Sequence, residues 1–195
     1  VADQYLWLRK DAMICLYVDD CIIHANDDSI ITDFILKMRE KQYLLQDEGN
    51  IADFLGVHID TTVGGQFEMT QTGLIKEIIH DLNLDHESCK YDLFTVPAKS
   101  TLQADLHLPE FCEDWKYRSV IGKLNFLALN LRPDIAFAVH QCARWNSNPR
   151  KSHGEAIKCI GKYLKTTPTR GLVYHPQGDH SLHAMCDADS VSYTH

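Results

Sequence analysis

The sequence predicts an α+β fold, with β-hairpins in its first third and helices in most of the remainder. Two apolar runs of strand length, residues 13–18 and 21–25, are separated only by two aspartates, which indicates a hairpin. From residue 71 onward, apolar residues recur at helical spacing, most clearly within 74–82 and 156–164. Antiparallel hairpins followed by a run of packed helices are typical of an α+β chain.

Asp19 and Asp20 form the tip of the first predicted hairpin. Both flanking runs are apolar nearly throughout, so the strands are expected to be covered on both faces and the acids to lie beside a core of low dielectric constant. Carboxylates in such a place need a compensating cation, and a pair of divalent metal ions is the natural one. The alternative is a solvated turn, because Asp is common in turns.

An opening strand, a helix and a second hairpin complete the first third. Residues 5–9 are expected to pair with 12–18, and the polar residues 26–29 to cap an amphipathic helix. Its apolar positions are Ile30, Ile31, Phe34, Ile35 and Met38. Residues 54–60 and 66–69 then predict a hairpin whose turn contains two glycines.

The remainder of the chain predicts a set of packed helices around one long loop. Residues 85–110 contain two prolines and no sustained period, so a loop between subdomains is expected there. A helix within 113–131 has one apolar face, formed by Val120, Leu124, Leu127 and Leu131. Its opposite face carries Arg118, Gly122, Asn125 and Phe126.

A proline motif ends that helix, and two strands are predicted near the C-terminus. Arg132-Pro133-Asp134-Ile135 stops one helix and starts another, because Pro suits the first turn of a helix and Asp its positive end. Residues 171–175 and 181–186 are expected to be strands, the second of which ends at Asp187.

Composition limits the function classes but does not single one out. The formal net charge of -8 argues against a nucleic-acid binder unless the Lys and Arg residues cluster on one face. Seven cysteines without a CxxC pair indicate reduced thiols in an intracellular protein instead of a disulfide framework or a zinc site. No run of apolar residues is long enough to predict a membrane span.

Several motifs, taken in order, resemble one protein family. Tyr17-Val18-Asp19-Asp20 matches the YxDD box of reverse transcriptases. Downstream, the order of three motifs is similar to that in the Pol polyprotein of copia-type LTR retrotransposons. The motifs are Arg132-Pro133-Asp134-Ile135, then Pro149-x-x-x-His153, then Lys162-Tyr163-Leu164-Lys165. The resemblance extends over essentially the whole chain.

The resemblance implies a fragment of a right-hand polymerase. Residues 1–69 would be the later part of the palm, 70–168 a helical thumb and connection, and 169–195 the start of an RNase H domain. The partners implied are an RNA template, a DNA primer, deoxynucleoside triphosphates and the rest of the Pol polyprotein, with no membrane. The implied location is intracellular, in cytoplasmic virus-like particles with entry into the nucleus.

The resemblance also implies roles for individual residues. Asp19 and Asp20 would be catalytic ligands of Mg²⁺ or Mn²⁺, with Tyr17 and Val18 placing them near the primer terminus. Gly56 would let the backbone approach the primer, and the alternative is a plain hairpin with this glycine in a bulge.

Two further sites follow from the same resemblance. On the helix within 113–131, Arg118 would meet phosphate, Gly122 would permit close approach, and Phe126 would pack on sugar or base edges. The alternative is that Gly122 and Phe126 pack against a neighbouring helix. Asp187 would be an RNase H metal ligand, although Ser190 replaces the usual Trp after the second acid, which favours a surface turn.

Two other interpretations of the sequence remain beside the polymerase fragment, and the fragment itself is expected to be inactive. The chain could be a degenerate, non-catalytic module that binds nucleic acid or protein, which the acidic charge favours, or an unrelated protein with a coincidental acid hairpin. A third metal-binding acid and the nucleotide-binding fingers are expected before Val1. We therefore expect the chain alone to be inactive, since two carboxylates are too few for two-metal catalysis.

Overall fold

The computed structural model describes residues 3–62, 65–85, 95–98 and 100–175. It is a mixed α/β structure with antiparallel sheets, as predicted. The strands are β1 (Leu6–Leu8), β2 (Ala12–Tyr17), β3 (Asp20–Ala25), β4 (Asp53–Phe54), β5 (Val57–Thr61), β6 (Phe67–Thr70) and β7 (Leu172–Tyr174). The helices are α1 (Asp28–Glu40), α2 (Thr72–Asp81), α3 (Tyr117–Asn130), α4 (Ala136–Ala143) and α5 (Lys151–Thr166), with a 3₁₀ turn at Pro133–Ile135 before α4.

The first sheet has the order β1-β2-β3, with both pairs of strands antiparallel. The hairpin between β2 and β3 was predicted from the two apolar runs. The helix α1 follows because Asp27 caps it: its carboxylate accepts a hydrogen bond of 2.8 Å from the backbone amide of Ser29. Contacts between α1 and β3 hold the helix on the sheet.

The expectation that this sheet is covered on both faces is wrong for the residues described. No residue of β1, β2, β3 or α1 is buried. A cavity of about 570 Å³ is lined by all four of these elements, with Ile14, Ile23 and Phe34 among its apolar lining residues. One helix of 13 residues cannot cover a three-stranded sheet completely, so apolar side chains remain half-buried.

The second sheet has the order β4-β5-β6-β7. Leu55 and Gly56 form the two-residue turn between β4 and β5, and both have positive φ, of 51° and 75°. Two positive φ angles identify the turn type whose twist suits a hairpin. Gly56 therefore lies in a turn and not in a bulge. Gly65, with φ of 74°, follows β5, and Gly64 lies outside the described residues.

The strand predicted at residues 171–175 forms, and it belongs to this second sheet. β7 pairs with β6 in antiparallel register, with Met69 opposite Leu172 and Phe67 opposite Tyr174. The boundary expected at residue 169 thus precedes a strand that is hydrogen-bonded to β6. The second predicted strand, at 181–186, lies outside the described residues.

The helices α2 to α5 enclose the main hydrophobic core. The apolar face predicted for α3 is buried, and it packs with residues of α2, α4 and α5. The fully buried aliphatic residues include Ile75, Ile78, Leu82, Leu84, Leu124, Leu127, Ile135, Ile157, Ile160 and Leu164. None of the helices in the described ranges combines the length and apolar character that crossing a bilayer requires.

Arg132, in the proline motif, connects the end of α3 to the end of α5. Its side chain is only 1% exposed and forms two hydrogen bonds of 2.9 Å with the carboxylate of Asp134. It also donates to the carbonyl oxygen and the hydroxyl of Thr167, at 2.9 and 2.8 Å. The motif that was predicted only to stop and start helices therefore also fixes the helix bundle.

Candidate functional site

The two adjacent acids lie where the hairpin turns. Tyr17 pairs with Asp20, so Val18 and Asp19 form a two-residue turn and Asp20 is the first residue of β3. All four side chains are exposed. The prediction that the acid pair lies at the tip of a β-hairpin is confirmed for the backbone.

The expectation that these acids lie against a core of low dielectric constant is wrong. Both carboxylates are exposed, so the argument that a low-dielectric core demands a cation does not apply. Asp19 does line the 570 Å³ cavity, together with apolar residues of the sheet and α1. Within the described ranges neither Asp19 nor Asp20 takes part in an ion pair with Lys, Arg or His. Their oxygens are therefore available to an external cation.

The chemistry of these donors fits Mg²⁺ or Mn²⁺, but their number is small. Carboxylate oxygens are the ligands that such hard cations prefer. No group of three or more His, Cys, Asp or Glu side chains that could hold a metal ion occurs in the part of the chain described here. Asp19 and Asp20 can thus supply part of a coordination sphere, whose remaining positions need water, substrate or other residues.

Val18 gives this turn an unusual backbone. Its φ is 53°, in the left-handed region, and its side chain is 77% exposed. A β-branched residue rarely adopts this conformation, and a single strained residue costs roughly 1–3 kcal/mol. Such strain is typical of functional turns, and here it sits directly before Asp19.

The second predicted group of site residues shares the outer face of α3. Arg118, Gly122 and Phe126 are four residues apart and all exposed, Phe126 by 50%. A Cβ atom built on Gly122 would meet nothing within 4 Å. Gly122 therefore does not serve helix packing within the described structure, and Phe126 does not lie under a neighbouring helix. The face is open to a ligand.

The third predicted position, Gly56, lies in an exposed turn beside a histidine and two acids. His58 on β5 lies 3.0 Å from Asp53 through Nδ1 and 3.3 Å from Asp60 through Nε2. The hydrogen bond that the His58 ring donates to Asp53, and then the charge of Asp60, raise the pKa of His58 above its usual 6.5. Because both ring nitrogens face carboxylates, this group is an ion-pair cluster that strengthens the β4-β5 hairpin.

The pKa of His58 gives a testable result. In an NMR titration its pKa should exceed that of an unpaired histidine, and Asp53→Asn should lower it more than Asp60→Asn. Since the folded-state pKa is raised, the stabilisation of the hairpin should be complete below the unfolded value and lost as pH rises through the folded value. A histidine in a short unstructured peptide is the reference. A pKa of His58 equal to that of the peptide histidine would contradict the cluster.

These three groups are not joined into one site by the contacts described. The cavity that Asp19 lines is lined by none of Gly56, Arg118, Gly122 and Phe126. The predicted RNase H ligand Asp187 lies outside the described residues. The placement of the acid turn beside the outer face of α3 thus stays a prediction.

Sequence reasoning missed the tertiary role of the motif residue His153. His153 is fully buried at the start of α5: its Nδ1 accepts a hydrogen bond from the Arg150 amide, and its Nε2 donates to the Gln103 carbonyl at 2.7 Å. Its ring stacks on Trp145, with centroids 4.9 Å apart. The spacing Pro149-x-x-x-His153 identified this histidine as a motif residue. It did not reveal that its hydrogen-bond partner, the carbonyl of Gln103, lies 50 residues earlier in the chain.

Comparison with known proteins finds a family match in the part of the chain that contains the first hairpin. Residues 4–95 match the family model described as reverse transcriptase (RNA-dependent DNA polymerase). This range includes the acid turn and the β4-β5-β6 strands. No solved structure matches the chain.

Curated relatives extend the similarity to most of the chain. It is 29% identical to the retrovirus-related Pol polyprotein from transposon RE2 of Arabidopsis thaliana, over 93% of the chain but 12% of that protein. It is 28% identical to the Pol polyprotein from transposon TNT 1-94 of Nicotiana tabacum, over 91% of the chain and 14% of that protein. An uncharacterized mitochondrial protein of Arabidopsis thaliana is 27% identical, over 93% of the chain and 72% of that protein. The chain is therefore similar to retrotransposon Pol polyproteins over most of its length, and its residues 4–95 match the reverse transcriptase family model.

Proposed function

We propose that this chain supplies the acid hairpin of a retrotransposon reverse transcriptase. The reaction is addition of deoxynucleotides to a primer 3′-hydroxyl, directed by an RNA template. The match of residues 4–95 to the reverse transcriptase family carries the proposal, and it includes the turn with Asp19 and Asp20. Both carboxylates are exposed and form no ion pair with the residues that the structure describes, which supports the proposal.

In this proposal the acid turn is the metal-binding part of the active site. Asp19 and Asp20 provide carboxylate ligands, and Tyr17 and Val18 hold them at the rigid end of β2. A bound Mg²⁺ or Mn²⁺ would supply the positive charge that stabilises oxygens in nucleotidyl transfer. The hydrogen-bonded strands β2 and β3 fix the two acids relative to each other.

The outer face of α3 and the Gly56 turn contact nucleic acid in this proposal. Arg118 meets phosphate, Gly122 permits close approach of the backbone, and Phe126 packs on sugar or base edges. The open space at Gly122 and the half-exposed Phe126 ring support this role over one in packing. Gly56 is also open, since a Cβ built there would meet nothing within 4 Å.

The net negative charge of the chain argued against nucleic-acid binding, but this charge is unevenly distributed along the sequence. Residues 100–175 contain eleven Lys and Arg against six Asp and Glu, a formal charge of +5, although the whole chain carries -8. The segment that contains α3, α4 and α5 is therefore basic, and the negative charge of the chain lies outside this segment. A basic helical surface is what a contact with the phosphate backbone requires.

Primer extension tests the proposal and also the expectation that the isolated chain is inactive. The 195-residue chain should not extend oligo(dT) on poly(rA) in Mg²⁺ or Mn²⁺, because two carboxylates cannot hold two octahedral metal ions. A complete reverse transcriptase is the positive control. Extension by the chain that disappears in an Asp19→Asn variant would show that its active site is already complete.

A Pol polyprotein that carries this segment provides the second arm. There, Asp19→Asn should abolish extension, whereas Asp28→Asn, an exposed acid in the first turn of α1, should not. Extension that survives Asp19→Asn would favour the alternative, a non-catalytic remnant that binds nucleic acid or protein.

A further inference from the structure

The first turn of α3 and the end of α4 form a fixed corner. The Tyr117 hydroxyl donates a hydrogen bond of 2.9 Å to the carbonyl of Cys142, and both residues are buried. The Arg118 Nε donates to the carbonyl of Asn146, also at 2.9 Å. Arg144 lies two residues before Asn146, so the Cα atoms of these two residues are within about 7 Å of each other. We call this region the α3–α4 corner.

Arg144 is held at the corner by an aromatic stack. Its guanidinium carbon lies 5.7 Å from the centre of the Trp145 ring, in cation-π contact. The Trp145 ring lies against His153, at an interplanar angle of 10°. His153 is itself fixed by the Arg150 amide and the Gln103 carbonyl. The buried motif histidine thus positions an exposed cation.

Both arginines at the corner are exposed and without a carboxylate partner. Among the residues described, the hydrogen bonds of Arg144 and Arg118 go to a side-chain amide oxygen and a backbone carbonyl, which are neutral. Several other cations in this part of the chain pair with acids: Lys123 with Glu77 and Asp81, and Lys158 with Glu113. Arg118 and Arg144 therefore differ from these cations in having a positive charge that an anionic ligand can reach.

We infer that Arg144, positioned by Trp145 and His153, is a second phosphate contact beside Arg118, so that the α3–α4 corner binds the backbone of the primer–template duplex. The inference rests on the proposed function and deepens it. Guanidinium groups suit phosphate, because their several donors match its oxygens. Two of them on neighbouring elements would fix the orientation of a duplex along the outer face of α3.

Salt-dependent binding of a labelled RNA–DNA hybrid to the full 195-residue chain tests this inference. Arg144→Gln and Arg118→Gln should each weaken binding at low salt. Each should also make the slope of the logarithm of the binding constant against the logarithm of the salt concentration less steep by about 0.9. Between about 50 mM and about 200 mM salt, the affinity of the wild-type chain should therefore fall roughly 3.5-fold further than that of the variant. Arg144→Lys should retain the slope.

Arg39→Gln on α1 is the matched control, since it removes the same charge from an exposed helix away from the corner. It should leave both the affinity and the slope unchanged. Trp145→Leu, which keeps all charges, should weaken binding by loosening Arg144. If Arg118→Gln reduces the slope but Arg144→Gln leaves it as unchanged as Arg39→Gln does, the inference about Arg144 is overturned. The proposed contact of the outer face of α3 with nucleic acid would then still be supported. If neither arginine variant changes the slope, or the wild-type chain does not bind, the nucleic-acid role of α3 fails as well.

Discussion

Arg132→Met is expected to lower the free energy of unfolding by about 3–5 kcal/mol, because it leaves the partly buried carboxylate of Asp134 without its main partner. The guanidinium is 1% exposed and also bonds Thr167 at the end of α5, so its loss separates two helix ends. Urea unfolding followed by circular dichroism measures the change. Arg132→Lys should recover only part of it, since an ammonium group cannot form the paired hydrogen bonds.

The chain contains its own control for this prediction. Arg9 and Asp11 have the same Arg-x-Asp spacing, but their side chains are 64% and 42% exposed. Arg9→Met should therefore change stability little, as is usual for exposed ion pairs. Similar losses for Arg9→Met and Arg132→Met would show that burial is not the source of the effect.

The Asp134 carboxyl adds a dependence on pH to the same network. Burial alone would raise its pKa, but hydrogen bonds from Arg132 and Tyr163 lower it below the usual value. Because the folded-state pKa is lowered, this stabilisation is present above the unfolded value and is lost as pH falls through the folded value.

Gly171→Ala is expected to break the pairing of β7 with β6. A Cβ atom at this position would lie 1.9 Å from the carbonyl oxygen of Met69, so the backbone of one strand must move. Overpacking of this kind costs about 1–3 kcal/mol. Hydrogen exchange should show faster exchange of the β6 amides that face β7, while amides of α3 stay protected.

Gly122→Ala is the matched substitution for that experiment. Its Cβ would meet nothing within 4 Å, and alanine favours a helix over glycine by about 0.5–1 kcal/mol. The isolated chain should therefore be unchanged or slightly more stable. Unchanged exchange in β6 of the Gly171→Ala protein would contradict the assignment of β7 to the second sheet.

Local patterns predicted the elements well because periodicity and caps are local signals. The acid hairpin, the cap of α1 by Asp27 and the buried face of α3 all follow from residues within one or two turns of each other. The two-residue turn at Leu55 and Gly56 was missed, because a leucine with positive φ is not a turn signal.

Burial and tertiary partners could not be predicted in the same way. The apolar runs beside Asp19 indicated two covered faces, yet α1 is the helix that packs there among the described residues, since coverage depends on elements far away in sequence. Likewise, the bonds of Arg132 to Thr167 and of His153 to Gln103 join residues 35 and 50 positions apart. A single sequence contains no local signal for such pairs.

We propose that Asp19 and Asp20 bind a divalent metal ion, and paramagnetic broadening by Mn²⁺ in NMR spectra of the isolated chain tests this claim. This measurement detects weak binding, which two carboxylates alone should give. Asp27 and Asp28 form a second exposed pair of adjacent acids in the same sheet-and-helix unit, so they provide an internal control.

At low Mn²⁺ concentration, broadening should begin at the amides of the turn between β2 and β3 and be absent around Asp27 and Asp28. It should disappear in the Asp19→Asn, Asp20→Asn double variant, while the rest of the spectrum stays unchanged. Broadening that centres on Asp27 and Asp28, or that persists at the hairpin turn in the double variant, would contradict the claim.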